Sequence, residues 1–411
     1  MLTFEQKLSN LATLALRIGV NLQPGQRLIL SGPLEAADLL REIAKQAYGL
    51  GSELVTVQYG DQEQELIRAQ HAAEDTLEAV DLERTAMMKA KMERGDALLR
   101  VAGSDPGLMA AADPQRVATI SRAERTANRE VGALVQRSFM PWTIVAYAVP
   151  AWARKVFPDL DEASAVAKLW DAIFAATRAD QADPVAAWEE HLASLKRARD
   201  HLNSRGFKAL RLKAEGTDLR VGLADGHVWE SGGLHTEHRG TFFVPNMPTE
   251  EVFTAPHARR VDGVIASSKP LSYQGQLIDR FSLTFEDGRV VSAKAEAGED
   301  VLLKLLDMDE GARRIGEIAL VPESSPINRS GLLFYNTLFD ENAASHVALG
   351  RAYETTLRDG TKRPLDELKA DGFNDSLVHV DFMFGTAALD VDGELEDGSA
   401  EKVMRGGDWA F

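Results

Sequence analysis

Residues 27–59 read RLILSGPLEAADLLREIAKQAYGLGSELVTVQY, and this stretch predicts the architecture of the first half of the chain. An apolar strand at 27–30 is followed by a helix over about 35–48, which ends at glycines, and then by a second strand at 54–59. Strands and helices that alternate in this way favour a parallel sheet with helices on both faces.

The same alternation continues to about residue 147. Strands at 97–101 and 143–147 flank a long polar helix at 114–135. Parallel sheets of this kind often bind nucleotides, but the sequence has neither G-x-G-x-x-G after a strand nor G-x-x-x-x-G-K-[ST]. The first half is therefore predicted to be an α/β domain with a largely parallel sheet, and a nucleotide site is not indicated.

The pattern changes after the helical segments that end near residue 202. Short strands and glycine turns follow from about 207, among them a hairpin-type turn at 286–288, with one helix at about 299–306. This pattern predicts an α+β domain with mainly antiparallel strands. We place the boundary near residue 205, which gives an α/β domain with a helical connector at 1–205 and a second domain at 206–411.

Composition limits the function classes. The chain has 411 residues and a formal net charge of -17 at pH 7, which argues against nucleic acid and anionic membranes as partners; solubility alone also explains the acidity. With no cysteine, disulfides and thiolate metal sites are excluded, and a reducing cytoplasm fits. No secretory signal pattern or run of ~20 apolar residues is present, so a cytoplasmic protein is expected.

Acids and histidines occur in segments of the second half that otherwise resemble core. Alternate side chains of a strand share a face, so His379 and Asp381 are predicted to point the same way, and Glu317 begins an apolar strand at 317–321. A solvated surface is the alternative for each. Carboxylates and imidazoles without cysteine suit Zn, Co, Mn or Mg, and we interpret these segments as one two-metal hydrolase site.

Two adjacent acids, Glu250 and Glu251, follow Thr249. Thr249 could cap a following turn that contains both acids, which is the structural alternative. In the functional interpretation one glutamate binds metal, and its neighbour accepts a proton from the attacking water as general base.

The segment around His346 is expected to be helical. Asp340 resembles an N-cap, and Glu341 reaches a shared site only from the entering loop or the first turn. His346 and Tyr353 are seven residues apart and would share a helix face, which would let the Tyr353 hydroxyl donate to a developing oxyanion. An ordinary core or surface aromatic is the alternative for Tyr353.

Three blocks carry a family likeness: residues 246–254 (NMPTEEVFT), 338–350 (LFDENAASHVALG) and 379–383 (HVDFM). They resemble the signature blocks of the thermophilic metallo-aminopeptidases, the aminopeptidase T family, and the likeness extends through the whole chain. The resemblance implies an active-site tyrosine at Tyr353 and a homodimer that encloses the active sites and favours short peptides. It implies metal ligands at Glu250, Glu317, Glu341, His346, His379 and Asp381.

The resulting hypothesis is a metal-dependent aminopeptidase that releases N-terminal amino acids from short peptides with water activated by two divalent ions. Glu251 is assigned as the base from its position beside a ligand, and Glu317 is the best candidate for a shared carboxylate. Two alternatives remain open at this stage. One is a dinuclear amidohydrolase or other hydrolase of a different substrate class, and the other is a non-catalytic ligand-binding α/β protein.

Overall fold

The computed structural model describes residues 2–273 and 276–411, which form two compact units. The first unit contains the residues up to Glu190 together with Gly233–Pro248. The second contains His191–Gly232 and the chain from Thr249 onward.

Helices are concentrated in the first unit and strands in the second. The described helices are α1 (Phe4–Leu14), α2 (Ala37–Gly49), α3 (Gln62–His71), α4 (Leu82–Glu93), α5 (Pro114–Ala127), α6 (Arg129–Gln136), α7 (Pro150–Val156), α8 (Glu162–Ala176), α9 (Pro184–Arg205), α10 (Glu299–Leu306), α11 (Pro326–Arg329), α12 (Thr337–Asp340) and α13 (Leu365–Ala370). Among the described residues, no helix has the length and apolar character required to cross a membrane.

The strands follow in chain order. They are β1 (Leu28–Pro33), β2 (Val55–Gly60), β3 (Ala97–Ala102), β4 (Trp142–Ala146), β5 (Ala209–Ala214), β6 (Thr217–Leu223), β7 (Glu230–Ser231), β8 (Leu234–His235), β9 (Phe242–Phe243), β10 (Val252–Thr254), β11 (Pro256–Ala266), β12 (Leu271–Tyr273), β13 (Gln276–Glu286), β14 (Arg289–Ala297), β15 (Ile315–Leu320), β16 (His346–Gly350), β17 (His379–Met383), β18 (Asp390–Glu394), β19 (Ala400–Arg405) and β20 (Asp408–Trp409).

The first unit contains a four-stranded parallel sheet in the order β2-β1-β3-β4. The prediction of a largely parallel sheet is confirmed, and its four strands begin within one residue of the expected positions. The long helix expected at 114–135 is instead two helices, α5 and α6, which meet at Asn128. The backbone of Asn128 (φ -88°, ψ 12°) leaves the helical region there and ends α5.

The segment Gly233–Pro248 joins the first unit through backbone hydrogen bonds beside β4. The amide of Ile144 donates to the carbonyl of Pro245 (2.8 Å), and the amide of Met247 donates to the carbonyl of Ile144 (3.0 Å). The expected boundary near 205 coincides with the end of α9, whereas the contacts divide the chain at Glu190 and on both sides of this segment. Strands β8 and β9 of this segment have two residues each, and strands this short give no sign in the sequence of the unit to which they belong.

The second unit is built on two antiparallel sheets, which confirms the predicted α+β character. One follows the order β12-β13-β11-β6-β5-β18-β19-β20, with β14 paired to β13, and the other the order β17-β16-β15-β10-β7. Both sheets and α10 contribute side chains to one apolar core. Burial of this core on one face leaves the other face of the smaller sheet available for polar groups.

Helix α10 offers a matched test of this core. Leu302 is 0% exposed and Leu303, its neighbour on the same helix, is 40% exposed. We expect Leu302→Ala to lower the free energy of unfolding by about 2–5 kcal/mol because it leaves a cavity. Leu303→Ala makes the same change of helix propensity on the surface, and we expect about 0.5 kcal/mol or less. Urea denaturation of both variants measures the difference, and equal losses would contradict this packing.

Candidate metal centre

Three neighbouring strands, β15, β16 and β17, build one polar face. Glu317 of β15 is paired with Ala348 of β16, and Ala348 is paired with Asp381 of β17. Gly350 of β16 is paired with His379. Directly paired residues point to the same side of a sheet, and residues two apart along a strand do the same. Glu317, His379 and Asp381 therefore lie on one face, as the sequence predicted for the last two.

His346 belongs to the same face through its own register. It is paired with Ala319 of β15 and with Met383 of β17. The opposite face of the three strands is apolar and buried in the core, and it includes Ile318, Leu320, Val347, Leu349 and Phe382. The sheet therefore separates a hydrophobic face from a face of acids and imidazoles.

The helix expected around His346 is wrong. Helix α12 ends at Asp340, a single 3-10 turn covers Glu341–Ala343, and His346 begins strand β16. All five residues of β16 are buried between two partner strands, so the pairing decides the structure of this short apolar run. His346 and Tyr353 do not share a helix face.

Tyr353 nevertheless reaches the site. Its ring lies 4.7 Å from the ring of His379 and 6.1 Å from that of Phe253, measured between centroids. Burial at the site and the carboxylates of Glu317 and Asp381 raise the pKa of Tyr353 well above its ordinary value, although the residue as a whole is 48% exposed. Its hydroxyl is therefore held in the protonated, hydrogen-bond-donating form.

Glu251 joins the cluster from the segment before β10. Its Oε2 atom lies 3.2 Å from Nε2 of His346, and Oε1 of Glu317 lies 3.5 Å from the same nitrogen. One ligand atom from each of these three residues lies within 4.8 Å of the others. The strand explains this placement, because Phe253 is paired with Ala319 on the polar face and Glu251 precedes it by two residues.

Glu250 lies apart from that group. Its backbone amide donates to Oδ1 of Asn342 (2.7 Å), and its Oε1 atom is 3.7 Å from Nε2 of His191. Residues 249–251 belong to no helix or turn, so Thr249 caps neither, and the two glutamates approach different histidines. Sequence reasoning did not identify His191, whose position in α9 carries no local signal of a site.

Glu317 lies between the two histidines. Its Oε1 atom faces His346, and its Oε2 atom is 3.8 Å from Nε2 of His379. Asp381 approaches the same nitrogen of His379 at 3.5 Å. The carboxylate of Glu317 therefore faces both imidazoles, one with each oxygen.

Both imidazoles are oriented by backbone carbonyls. Nδ1 of His346 lies 3.1 Å from the carbonyl oxygen of Ala344, and Nδ1 of His379 lies 2.7 Å from that of Arg351. We assign the proton of each neutral ring to Nδ1, which then donates to the carbonyl and leaves the lone pair of Nε2 facing the carboxylates. Metal-binding histidines are commonly held in this way.

The electrostatics of the cluster reflect crowding of negative charge. Burial raises the pKa of Glu317 and, helped by the charges of Glu251 and Asp381, raises that of Glu341 well above its usual range. Burial alone would lower the pKa of both histidines, but the carboxylates outweigh it. The pKa of His346 rises well above its ordinary value, and that of His379 rises to about 10. The cluster therefore favours the binding of positive charge. The raised pKa of Glu341 indicates that its carboxyl group is exposed to the same negative charges.

These residues fit divalent metal ions. Within the described part of the chain, Oε2 of Glu317 and Oδ1 of Asp381 are buried and accept no hydrogen bond. The ion-pair partners that the described residues supply to Glu251, Glu317 and Asp381 are the two imidazoles. Buried carboxylates are stable when paired or bound to metal, and oxygen with imidazole ligands suits borderline and hard cations.

Comparison with known proteins supports this interpretation. Residues 4–409 match the model of the thermophilic metalloprotease (M29) family. The chain is 47% identical to aminopeptidase 2 of Geobacillus stearothermophilus, covering 99% of this chain and 98% of that one. It is also 47% identical to aminopeptidase T of Thermus thermophilus, with 99% of each chain covered.

A solved structure agrees over the whole length. Wild-type AmpT from Thermus thermophilus superposes with a TM-score of 0.94 at 45% identity and covers 100% of both chains. The family resemblance expected from the sequence is confirmed. The chain belongs to the thermophilic metalloprotease family M29 and is a metal-dependent peptidase.

Proposed function

We propose that this protein is an aminopeptidase that removes N-terminal residues from short peptides with two divalent ions bound on the polar face of the smaller sheet. The observation that carries the proposal is the position of Glu317. One of its carboxylate oxygens faces His346, which also contacts Glu251. The other oxygen faces His379, which also contacts Asp381. The relatives named above are aminopeptidases, which supports the same activity here.

Charge balance supports two ions rather than one. Four carboxylates act on one another in this cluster, those of Glu251, Glu317, Glu341 and Asp381. Two divalent cations with two neutral imidazoles would neutralise them, whereas one cation would leave buried negative charge. The ligand types accept Zn, Co or Mn and, less readily, Mg.

The geometry favours Glu251 rather than Glu250 as the metal ligand of this adjacent pair. The sequence assigned Glu250 as ligand and Glu251 as base, but Glu251 approaches His346 while Glu250 approaches His191. We therefore propose Glu251, Glu317, Glu341, His346, His379 and Asp381 as the metal-binding set. In this set Glu250 supports the segment that carries Glu251.

The chain's own groups have distinct tasks beside the ions. Bound divalent ions would polarise the scissile carbonyl and make water a better nucleophile at neutral pH. Tyr353 keeps its proton and donates to the oxygen on which negative charge develops. The free α-amino group of the peptide would be held by a bound metal ion or by a carboxylate, which would favour cleavage at the amino terminus.

We also propose that the protein is a homodimer in a reducing cytoplasm. The family resemblance supports the dimer, and a sequence without cysteine suits that compartment. Light scattering tests the assembly, since a particle with the mass of one 44.9 kDa chain would exclude the dimer.

Metal dependence is the first test. Metal analysis of the purified protein should give about two divalent ions per chain. Hydrolysis of a leucyl anilide should disappear on chelation and return with Co or Zn, while a phosphate ester should remain uncleaved. Full activity of a metal-free sample would refute the metallopeptidase mechanism, and cleavage of the phosphate ester alone would indicate another substrate class.

Glu251→Gln separates the two assignments of the adjacent acids. If Glu251 is a ligand, the variant should lose bound metal, and turnover should fall by about 10-fold or more because an amide is a poorer ligand for these cations. Glu250→Gln is the matched control next to it and should keep full metal content. Normal metal content in Glu251→Gln with turnover lost would instead restore Glu251 as the base.

Tyr353→Phe removes one hydroxyl from the site. We expect kcat to fall about 10²–10³-fold, the usual effect of removing an oxyanion donor, with metal content unchanged. Tyr59→Phe makes the same change at an exposed tyrosine and should leave kcat as it was. A Tyr353→Phe enzyme with kcat like that of Tyr59→Phe would rule out the donor role.

A further inference from the structure

We infer that Arg351 is a positioning residue for the metal centre. Its side chain fixes the segment whose backbone orients His379 and which carries Tyr353. The inference rests on the proposed function, which assigns His379 to the metal-binding set and Tyr353 to the reaction.

The backbone of Arg351 makes direct contact with the site. Its carbonyl oxygen lies 2.7 Å from Nδ1 of His379 and receives the ring proton in our assignment. Its amide donates to the carbonyl of Val378, the residue before His379, at 2.7 Å. The rotation of the imidazole therefore depends on where the backbone of Arg351 lies.

The side chain of Arg351 connects two segments of the chain that meet at its backbone. Its guanidinium donates to Oδ1 of Asp375 at 2.5 Å and to Oε1 of Glu354 at 3.0 Å. Asp375 lies on the segment that leads into His379, and Glu354 directly follows Tyr353. One cation thus links the chain before the histidine to the chain after the tyrosine.

A buried amide supports the same junction from beneath. The side-chain amide of Asn374 donates to the carbonyls of Gly350 (2.6 Å) and Gly311 (2.8 Å), and the backbone carbonyl of Asn374 accepts from the amide of Ala352 (2.9 Å). Gly350 and Ala352, the two neighbours of Arg351, are therefore hydrogen-bonded to the segment that precedes β17. The guanidinium supplies the remaining, outer constraint.

General stability does not account for this clamp. The side chains of Arg351 and Glu354 are 41% and 42% exposed, and exposed ion pairs contribute little to the free energy of unfolding. Asp375 also pairs with Lys369 at 2.7 Å, so it keeps a cation when Arg351 is replaced. Removing the guanidinium should therefore loosen the segment without unfolding the protein.

Arg351→Gln tests the inference against a control in the same unit. Arg363 likewise pairs with two acids, Asp371 at 2.6 Å and Glu367 at 3.6 Å, which do not flank the site. We expect Arg351→Gln to weaken metal binding or lower kcat about 10–100-fold, as loss of an outer partner of a metal ligand usually does. Arg363→Gln should keep wild-type values, and both variants should unfold at similar temperatures.

Three measurements distinguish a positioning role of Arg351 from a general loss of stability. They are the dissociation constant for Co²⁺, the visible absorption of the Co²⁺ protein, and kcat measured apart from KM. We expect a changed Co²⁺ spectrum and lower kcat in Arg351→Gln, and partial recovery in Arg351→Lys, because a lysine replaces the charge but not the two-sided fork.

The outcomes also separate this inference from the proposed function. A wild-type protein that binds no Co²⁺ and cleaves no peptide would defeat the proposed function itself. An active wild type with Arg351→Gln equal to Arg363→Gln in Co²⁺ affinity, spectrum and kcat would overturn only the role of Arg351. Should Arg351→Gln not fold, Glu354→Gln carries the test, since it removes one arm of the clamp and should give a smaller loss in the same direction.

Discussion

The antiparallel register of β15, β16 and β17 is the constraint on which the metal centre depends. It sets Glu317, Ala348 and Asp381 in one row across three strands. A slip of one residue in any strand would turn its apolar side chains toward the ligands and its charges into the core. The hydrophobic core therefore enforces the geometry of the charged face.

Small residues let the acids approach one another on that face. Ala348 lies between Glu317 and Asp381, so the middle strand contributes only a methyl group to the space between these two acids. Gly350 has a φ of 108°, and a Cβ there would lie 2.1 Å from the carbonyl oxygen of Val378. A larger residue at this position would push β17, and with it His379, away from β16.

The sequence predicted the parts of the site that depend on local pattern. The two-residue period that places His379 and Asp381 on one face is visible in the chain, as is helix α10, which spans the expected residues. The helix predicted around His346 was wrong because a five-residue apolar run fits a buried strand as well as a helix. Likewise, only the pairing of β10 with β15 distinguishes Glu251 from Glu250.

The orientation of the histidines was beyond sequence reasoning for a different reason. Both rings are held by main-chain oxygens, those of Ala344 and Arg351, and any residue type would supply the same carbonyl. The residue types at positions 344 and 351 therefore do not reveal that their carbonyls orient the histidines. The side chain of Arg351 can still control where its own backbone lies. It does so through the hydrogen bonds of its guanidinium to Asp375 and Glu354. A charged residue outside the ligand set thus acts on the centre through the backbone alone.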